Sequence, residues 1–218
     1  MNRRGFIGKL SSVTAVAAAV NLEDYTKPTP KSFFIATWNN QEAVKTAQNY
    51  YSESLPLLDS IVKGINTVED NPLDQSVGYG GRPDREGKVT LDACVMDHEG
   101  NAGSVVFLQN IKYAISLAHD VLKYTPHVIL AGEGARQFAL SRGYSETQML
   151  TDLSKKQYET WLKEKEYKPI INIENHDTIG MLGLSDDGRL SGGCSTSGLS
   201  YKMHGRVGDS PIIGAGLY

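Results

Sequence analysis

The chain has 218 residues, 40% of them hydrophobic and 22% charged, and its formal net charge is -3 at pH 7. This length is sufficient for one globular domain with a substantial core. The mild acidity, with no basic cluster beyond the N-terminus, argues against nucleic acid as a partner. Because no run of about 18 apolar residues occurs, we expect no transmembrane helix.

Residues 1–21 have the pattern of a bacterial signal peptide. A basic start that includes Arg3 and Arg4 precedes an alanine-rich apolar stretch at 10–20, and small residues follow near a polar region. Paired arginines at this place resemble a twin-arginine signal. An ordinary amphipathic leader helix is the alternative. We expect export to the periplasm and removal of the leader somewhere near Ala19 to Asn21.

The chain after the leader alternates between predicted strands and helices, which indicates an α/β fold. Pro56 is expected to end or kink the first helix. In chain order we predict a strand at 33–38, a helix at 42–53, a second helix with Leu58, Ile61, Val62 and Ile65 buried, a loop at 78–87, a strand at 89–96, a helix at 110–124, a strand at 127–131, a helix from Gly134, and a long polar helix at 146–166.

Two glycine-rich segments resemble nucleotide sites without meeting their requirements. Gly132-Glu133-Gly134 has Gln137 where a dinucleotide fingerprint has its third glycine, so we interpret it as a tight strand-to-helix turn. Residues 78–81 lack the Lys-Ser/Thr ending of a phosphate loop. The five histidines and two cysteines lack metal-ligand spacing. We therefore predict neither a cofactor nor a metal, and we expect both cysteines to be small buried side chains, with a disulfide as the alternative.

Thr178 is the candidate nucleophile. It begins a predicted strand, which is followed by an Asp186-Asp187-Gly188 hairpin turn and a second strand that runs from Arg189 towards Thr196. A threonine hydroxyl needs a base within hydrogen-bond reach, and cleavage between Asp177 and Thr178 would supply one as the freed α-amino group. The alternative is a threonine that merely begins a strand.

The stretch His176-Asp177-Thr178-Ile179-Gly180 resembles the self-cleavage junction of the glycosylasparaginase family. The similarity continues through 195–198 and 204–211, and reaches back to 36–39 and 76–84. Members of that family are N-terminal-nucleophile hydrolases that are made as precursors and split into α and β subunits. The resemblance implies a four-layer αββα sandwich, with the α subunit at 22–177 and the β subunit from 178 onwards.

Arg206 and Asp209 lie three positions apart in a loop with glycines, so both can face one small zwitterion. Alone, such a pair is more often a surface ion pair. The resemblance implies that Arg206 holds the α-carboxylate and Asp209 the α-amino group of a substrate asparagine. Val207 and Gly208 would then form the backbone wall of the pocket.

Two further site residues follow from the resemblance. Thr196 lies 18 positions after Thr178 on the neighbouring strand of the hairpin, and its hydroxyl would support Thr178 in self-cleavage and in turnover. Its alternative is a strand-end threonine packed by its methyl group. Trp38 would close the substrate pocket, whereas by default it would be a core aromatic.

The activity implied by the resemblance is hydrolysis of the N-acetylglucosamine–asparagine bond of glycosylasparagines, without a cofactor, by an (αβ)₂ assembly. The family's β subunit continues past the position of Tyr218, and the Thr-Gly pair of its oxyanion hole lies there. We therefore expect this sequence to be truncated in the β subunit. An L-asparaginase or isoaspartyl aminopeptidase of the same superfamily is the closest alternative, although these usually carry Gly where this chain has Asp177. An inactive secreted binding protein is the alternative from another class.

Overall fold

A computed structural model describes residues 31–164 and 178–218. These residues form a mixed α/β fold, which confirms the predicted fold class. The elements in chain order are β1 (Phe33–Ala36), α1 (Gln41–Ser52), α2 (Leu57–Glu69), β2 (Leu91–Met96), β3 (Ala102–Leu108), α3 (Ala114–Tyr124), β4 (Ile129–Ala131), α4 (Gly132–Ser141), α5 (Asp152–Glu164), β5 (Ile179–Leu184) and β6 (Leu190–Thr196).

Within the described residues, six strands form one sheet in the order β1-β5-β6-β2-β3-β4. Neighbouring strands are antiparallel except β3 and β4. The hairpin of β5 and β6 therefore lies between β1 and β2, and both of these come from the chain before residue 177. Backbone hydrogen bonds on both sides thus join the segment from 178 onwards to the rest of the molecule. Scission before Thr178 would leave that segment held in the sheet.

One face of the sheet is covered by helices. On α2, buried residues recur at 58, 61, 65 and 68, the spacing of an amphipathic helix. Against β3, helix α3 packs so closely that a Cβ at Gly103 would lie 2.2 Å from the carbonyl oxygen of Ala118. Only glycine fits at that contact, so Gly103 fixes the distance between this helix and the sheet.

The opposite face of the sheet carries large apolar side chains near its β1 edge. Phe33, Ile35, Leu182 and Leu190 are 37–56% exposed, and Ile35 pairs directly with Leu182. A contiguous apolar surface of this kind is what a further packed layer covers. The arrangement is consistent with an αββα sandwich.

Two helices begin later than the sequence predicts. The helix predicted at 110–124 begins at Ala114, and the helix predicted at 146–166 begins at Asp152. The reason lies in a contact between the two segments: Ile111 forms a β-bridge with Glu146, and Asn110 has a φ of 59°, which a right-handed helix does not permit. Strand β3 was not predicted. The tight turn predicted at Gly132 is confirmed, with a φ of 50° at the first residue of α4.

The predicted signal peptide (1–21) and the residues at 165–177, including His176 and Asp177, lie outside the described residues. Among the helices that the structure does describe, we find none with the length and apolar character needed to cross a membrane.

Glu69 is a fully buried carboxyl group at the end of α2. Its Oε1 accepts hydrogen bonds from the Ser195 hydroxyl (2.6 Å) and the Ile115 amide (2.9 Å), whereas Oε2 has no hydrogen-bond partner among the described residues. Burial raises the pKa of Glu69 from 4.5 to about 8, although these hydrogen bonds oppose the shift. At neutral pH the carboxyl is therefore protonated in the folded protein.

This pKa predicts a specific dependence of stability on pH. Between pH 4.5 and about 8 the folded state keeps a proton on Glu69 that the unfolded state has lost, so stability falls as pH rises, by about 1.4 kcal/mol per unit at most. Glu69→Gln removes this titration. We expect the difference in melting temperature between this variant and the unaltered protein to shift in favour of the variant from pH 5 to pH 8.

The matched control is Glu133→Gln. Glu133 is exposed, and hydrogen bonds from Arg136 lower its pKa to about 2, so both folded and unfolded states have lost this proton above pH 5. Parallel melting profiles for the Glu69 variant and the unaltered protein would contradict the assigned protonation state.

Candidate active site

Thr178 lies immediately before β5 and is held from the β1 side by Thr37. The Thr37 hydroxyl donates to the carbonyl of Thr178 (2.8 Å) and accepts from the amide of Gly180 (3.0 Å), while the Thr37 amide donates to the Gly180 carbonyl (2.9 Å). One side chain thus fixes the backbone on both sides of Ile179. Thr37 was not among the predicted site residues, although it lies within the matching segment at 36–39.

Thr196 lies beside Thr178 at the same end of the sheet. Ile179 pairs with Ser195, so one further step along this register brings Thr178 opposite Thr196. The Thr196 side chain is buried. Its hydroxyl donates to the carbonyl of Ser76 (3.3 Å) and accepts from the amide of Gly198 (2.9 Å). The Thr196 side chain is therefore a fixed polar group next to the candidate nucleophile.

Ser210 is a second hydroxyl beside Thr178. The two hydroxyl oxygens are 3.4 Å apart, and the Ser210 carbonyl accepts a hydrogen bond from the Cys94 thiol (3.1 Å). Ser210 is buried, so its position is set by packing. This serine lies within the 204–211 segment, but it was not among the predicted site residues.

The loop with Arg206 and Asp209 runs next to these hydroxyls. The Arg206 guanidinium lies against two glycines. A Cβ atom added to Gly198 would lie 2.8 Å from Nη1 of Arg206, and a Cβ atom added to Gly208 would lie 2.9 Å from the same nitrogen. Larger residues at either position would displace the guanidinium. Val207 and Asp209 are exposed on the same loop.

Asp209 also lies near Cys194, on the face of the sheet opposite the helices. Burial and, as a smaller contribution, the negative charge of Asp209 together raise the pKa of the Cys194 thiol to about 11. Cys94 and Cys194 are direct partners across β2 and β6, and both are buried and reduced. The prediction of small buried side chains is confirmed.

Two buried charged residues beside the site were not predicted. Asp92 and Lys202 are both at most 1% exposed. The ammonium group of Lys202 donates to the carbonyls of Ser197 (2.8 Å) and Thr90 (3.3 Å). The sequence carried a signal for Asp92: it is a charged residue within the strand predicted at 89–96, whose other residues apart from Thr90 are apolar, and a buried charge needs a partner.

Trp38 follows β1 and is 67% exposed, with a φ of 58°. It is therefore not a core aromatic, and it lines a groove of about 500 Å³ together with Asn39 and Val44. Its predicted part in closing the substrate pocket stays a prediction. Among residues 31–164 and 178–218, no group of three or more His, Cys, Asp or Glu side chains is placed to hold a metal ion.

Comparison with known proteins places residues 23–218 in a family whose model is described as asparaginase. A protein of Elizabethkingia miricola named N(4)-(beta-N-acetylglucosaminyl)-L-asparaginase is 53% identical over 225 aligned positions, which cover 100% of this chain and 66% of that protein. A protein of the same name from Rattus norvegicus is 34% identical, covering 87% of this chain and 64% of its own length. A protein of Drosophila grimshawi that carries the same name with the prefix "Putative" is 35% identical, covering 84% of this chain and 57% of its own length.

The chain thus spans 57–66% of the length of these relatives. The family model, in contrast, matches it from residue 23 to residue 218. On that match, the chain belongs to this asparaginase family.

Proposed function

We propose that this chain is part of an amidohydrolase that cleaves the bond between N-acetylglucosamine and asparagine in glycosylasparagines. The observation that carries the proposal is the placement of Thr178 opposite Thr196, beside the Arg206–Asp209 loop. The names of the relatives from Elizabethkingia miricola and Rattus norvegicus support the choice of substrate. In this proposal Thr178 is the nucleophile, and scission after Asp177 exposes its α-amino group.

The first chemical stage is self-cleavage. The Thr178 hydroxyl attacks the carbonyl of Asp177, the peptide nitrogen becomes a free amine, and water hydrolyses the resulting ester. The fixed contacts of Thr37 on either side of Ile179 hold the new terminus in place. The α-amino group then serves as the base, because its ordinary pKa of about 7.7–8.0 lies close to neutrality.

The second stage is turnover of the substrate. Arg206 binds the α-carboxylate and Asp209 the α-ammonium group, and Thr178 attacks the side-chain amide carbon. The glycosylamine leaves with a proton from the α-ammonium group of Thr178, and water then releases aspartate from the acyl-enzyme. Thr196 stabilises Thr178 in both stages. Trp38, Val207 and Gly208 form walls of the pocket.

The test of this function compares three substrates with the protein made from its complete reading frame. Glycosylasparagine should be hydrolysed with a much higher kcat/KM than L-asparagine or a β-aspartyl dipeptide. A preference for L-asparagine or for the dipeptide would instead favour the second candidate activity, which the description of the matching family model also supports. A chain that stays intact and hydrolyses none of the three would contradict both, and would favour a binding protein.

We also propose export to the periplasm by the twin-arginine route and assembly of the cleaved protein as (αβ)₂. The route carries folded proteins, which suits a precursor that must fold before it cuts itself. Replacement of Arg3 and Arg4 by Lys should leave the protein in the cytoplasm, as measured by cell fractionation. Unimpaired export of this variant would refute the route, and sedimentation of the mature protein measures the assembly.

A further inference from the structure

We propose that Asp92 is a positioning residue that orients the Arg206 guanidinium towards the substrate's α-carboxylate. The inference rests on the proposed function, because it assigns a second residue to the carboxylate-binding part of that site. Asp92 does not itself contact substrate in this proposal and acts through Arg206.

Strand register places Asp92 beside the two threonines. Asp92 pairs with Thr196 across β2 and β6, and the register of β5 brings Thr178 opposite Thr196 from the other side. Side chains at paired positions lie on the same face of a sheet. Thr178, Thr196 and Asp92 therefore form a row across three strands, on the face that also carries Cys194.

Two cations converge at the end of this row. At Gly198, two residues after Thr196, a Cβ would lie 2.8 Å from Nη1 of Arg206 and 2.9 Å from Nζ of Lys202. Burial raises the pKa of Asp92, and the positive charges of Lys202 and Arg206 pull it back down. The three groups thus form one charge cluster, in which Asp92 and Lys202 are buried and Arg206 is half-buried.

Within this cluster, Arg206 is the cation whose orientation Asp92 can decide. Lys202 is already anchored by the carbonyls of Ser197 and Thr90. Arg206 belongs to the loop that also carries Asp209, and its guanidinium lies close to Gly198 and Gly208. The amide of Gly208, in the same loop, also lies near enough to Asp92 to lower its pKa. The Asp92 carboxylate on β2 thus interacts electrostatically with the side chain of Arg206 and with the backbone amide of Gly208.

Asp92 also has a structural contact, which the test must separate from positioning. Its Oδ1 accepts a hydrogen bond from the amide of Phe107 (2.8 Å), a residue with a φ of 52°, where the pairing of β2 with β3 is irregular. Asparagine has nearly the same shape and keeps an oxygen acceptor for this amide. Asp92→Asn therefore removes the charge and retains this contact.

The experiment is a double-mutant cycle of Asp92→Asn and Arg206→Lys in the protein made from its complete reading frame. We expect Asp92→Asn to raise KM for glycosylasparagine about tenfold and to change kcat less than about threefold, the signature of lost substrate binding. In the Arg206→Lys background the same change should raise KM less than about twofold, because residues that act through one another are not additive. Mass spectrometry should show normal scission of Asp92→Asn.

The matched control is Asp97→Asn, just beyond the other end of β2. Asp97 also accepts hydrogen bonds from backbone amides, those of Glu99 and Asn101 (2.9 Å), so its replacement reports a purely structural effect. It should leave KM unchanged. If Asp92→Asn does not fold, Asp92→Glu keeps the charge one methylene away, and its rise in KM should again vanish in the Arg206→Lys background.

An unchanged KM in Asp92→Asn, or additive effects in the cycle, would overturn this inference. The proposed function would still stand if the unaltered protein hydrolyses glycosylasparagine. Absence of glycosylasparagine hydrolysis by the unaltered protein would overturn both.

Discussion

Thr178→Ala is expected to leave the chain uncleaved between Asp177 and Thr178 and to lower glycosylasparagine hydrolysis by at least about 10⁴-fold, because in the proposed mechanism the same hydroxyl is the nucleophile of both stages. Only a methyl group would face Ser210, which lies 3.4 Å from the hydroxyl in the unaltered chain. Mass spectrometry of freshly purified protein measures scission directly, and release of aspartate measures turnover.

Thr178→Cys separates loss of the nucleophile from loss of the fold. A thiolate also attacks carbonyl carbon, so this variant should retain scission to some degree. The matched control is Thr125→Ala, which removes a threonine hydroxyl that donates to the Val121 carbonyl at the end of α3; it should cleave normally. Appearance of a chain that begins at residue 178 in the Thr178→Ala variant would contradict the assigned nucleophile.

The relation between Thr178 and Thr196 could be predicted because it depends on local sequence. A turn at 186–188 fixes the register of the strands that it joins. The structure has a hairpin there, with Gly188 at a φ of 84°, and β5 and β6 pair without interruption. Knowledge of the turn was enough to place both threonines at the same end of the sheet.

The contacts that complete the site could not be predicted, because distant parts of the chain supply them. Thr37 and Thr178 are 141 positions apart, and Asp92 pairs with Thr196 across strands whose adjacency the sequence did not indicate. Only the sheet order shows that β2 lies next to β6. Sequence periodicity predicts that a strand exists and which residues share a face, while the neighbour of each strand is set by tertiary packing.

The same sheet order is the reason we expect one substitution to separate scission from turnover. Thr178 is set between β1 and β6, and its backbone is fixed by Thr37. The Arg206–Asp209 loop lies beyond the end of β6 and makes no ladder with β5. The proposed substrate recognition by that loop and the contacts that hold the backbone of Thr178 therefore rest on different parts of the structure.

Asp209→Ala is accordingly expected to lower kcat/KM for glycosylasparagine about 100-fold and to change the rate of self-cleavage less than about threefold. Loss of a carboxylate that pairs with a substrate ammonium costs roughly 3 kcal/mol, which corresponds to a factor of this size. Asp209 is exposed in the absence of substrate, so its removal leaves no buried charge behind. The fold should therefore tolerate the change.

The control for this variant is Asp187→Ala in the hairpin turn at the far end of β5. Asp187 pairs with the Arg189 side chain (2.9 Å) and is more than half exposed. It lies about six strand residues from the nucleophile, or roughly 20 Å, so its replacement should affect neither rate. Self-cleavage of the Asp209 variant is followed by mass spectrometry after refolding, and turnover by aspartate release from the matured protein. Equal losses of scission and turnover would mean that Asp209 supports the junction itself, which would contradict its assignment to the substrate's ammonium group.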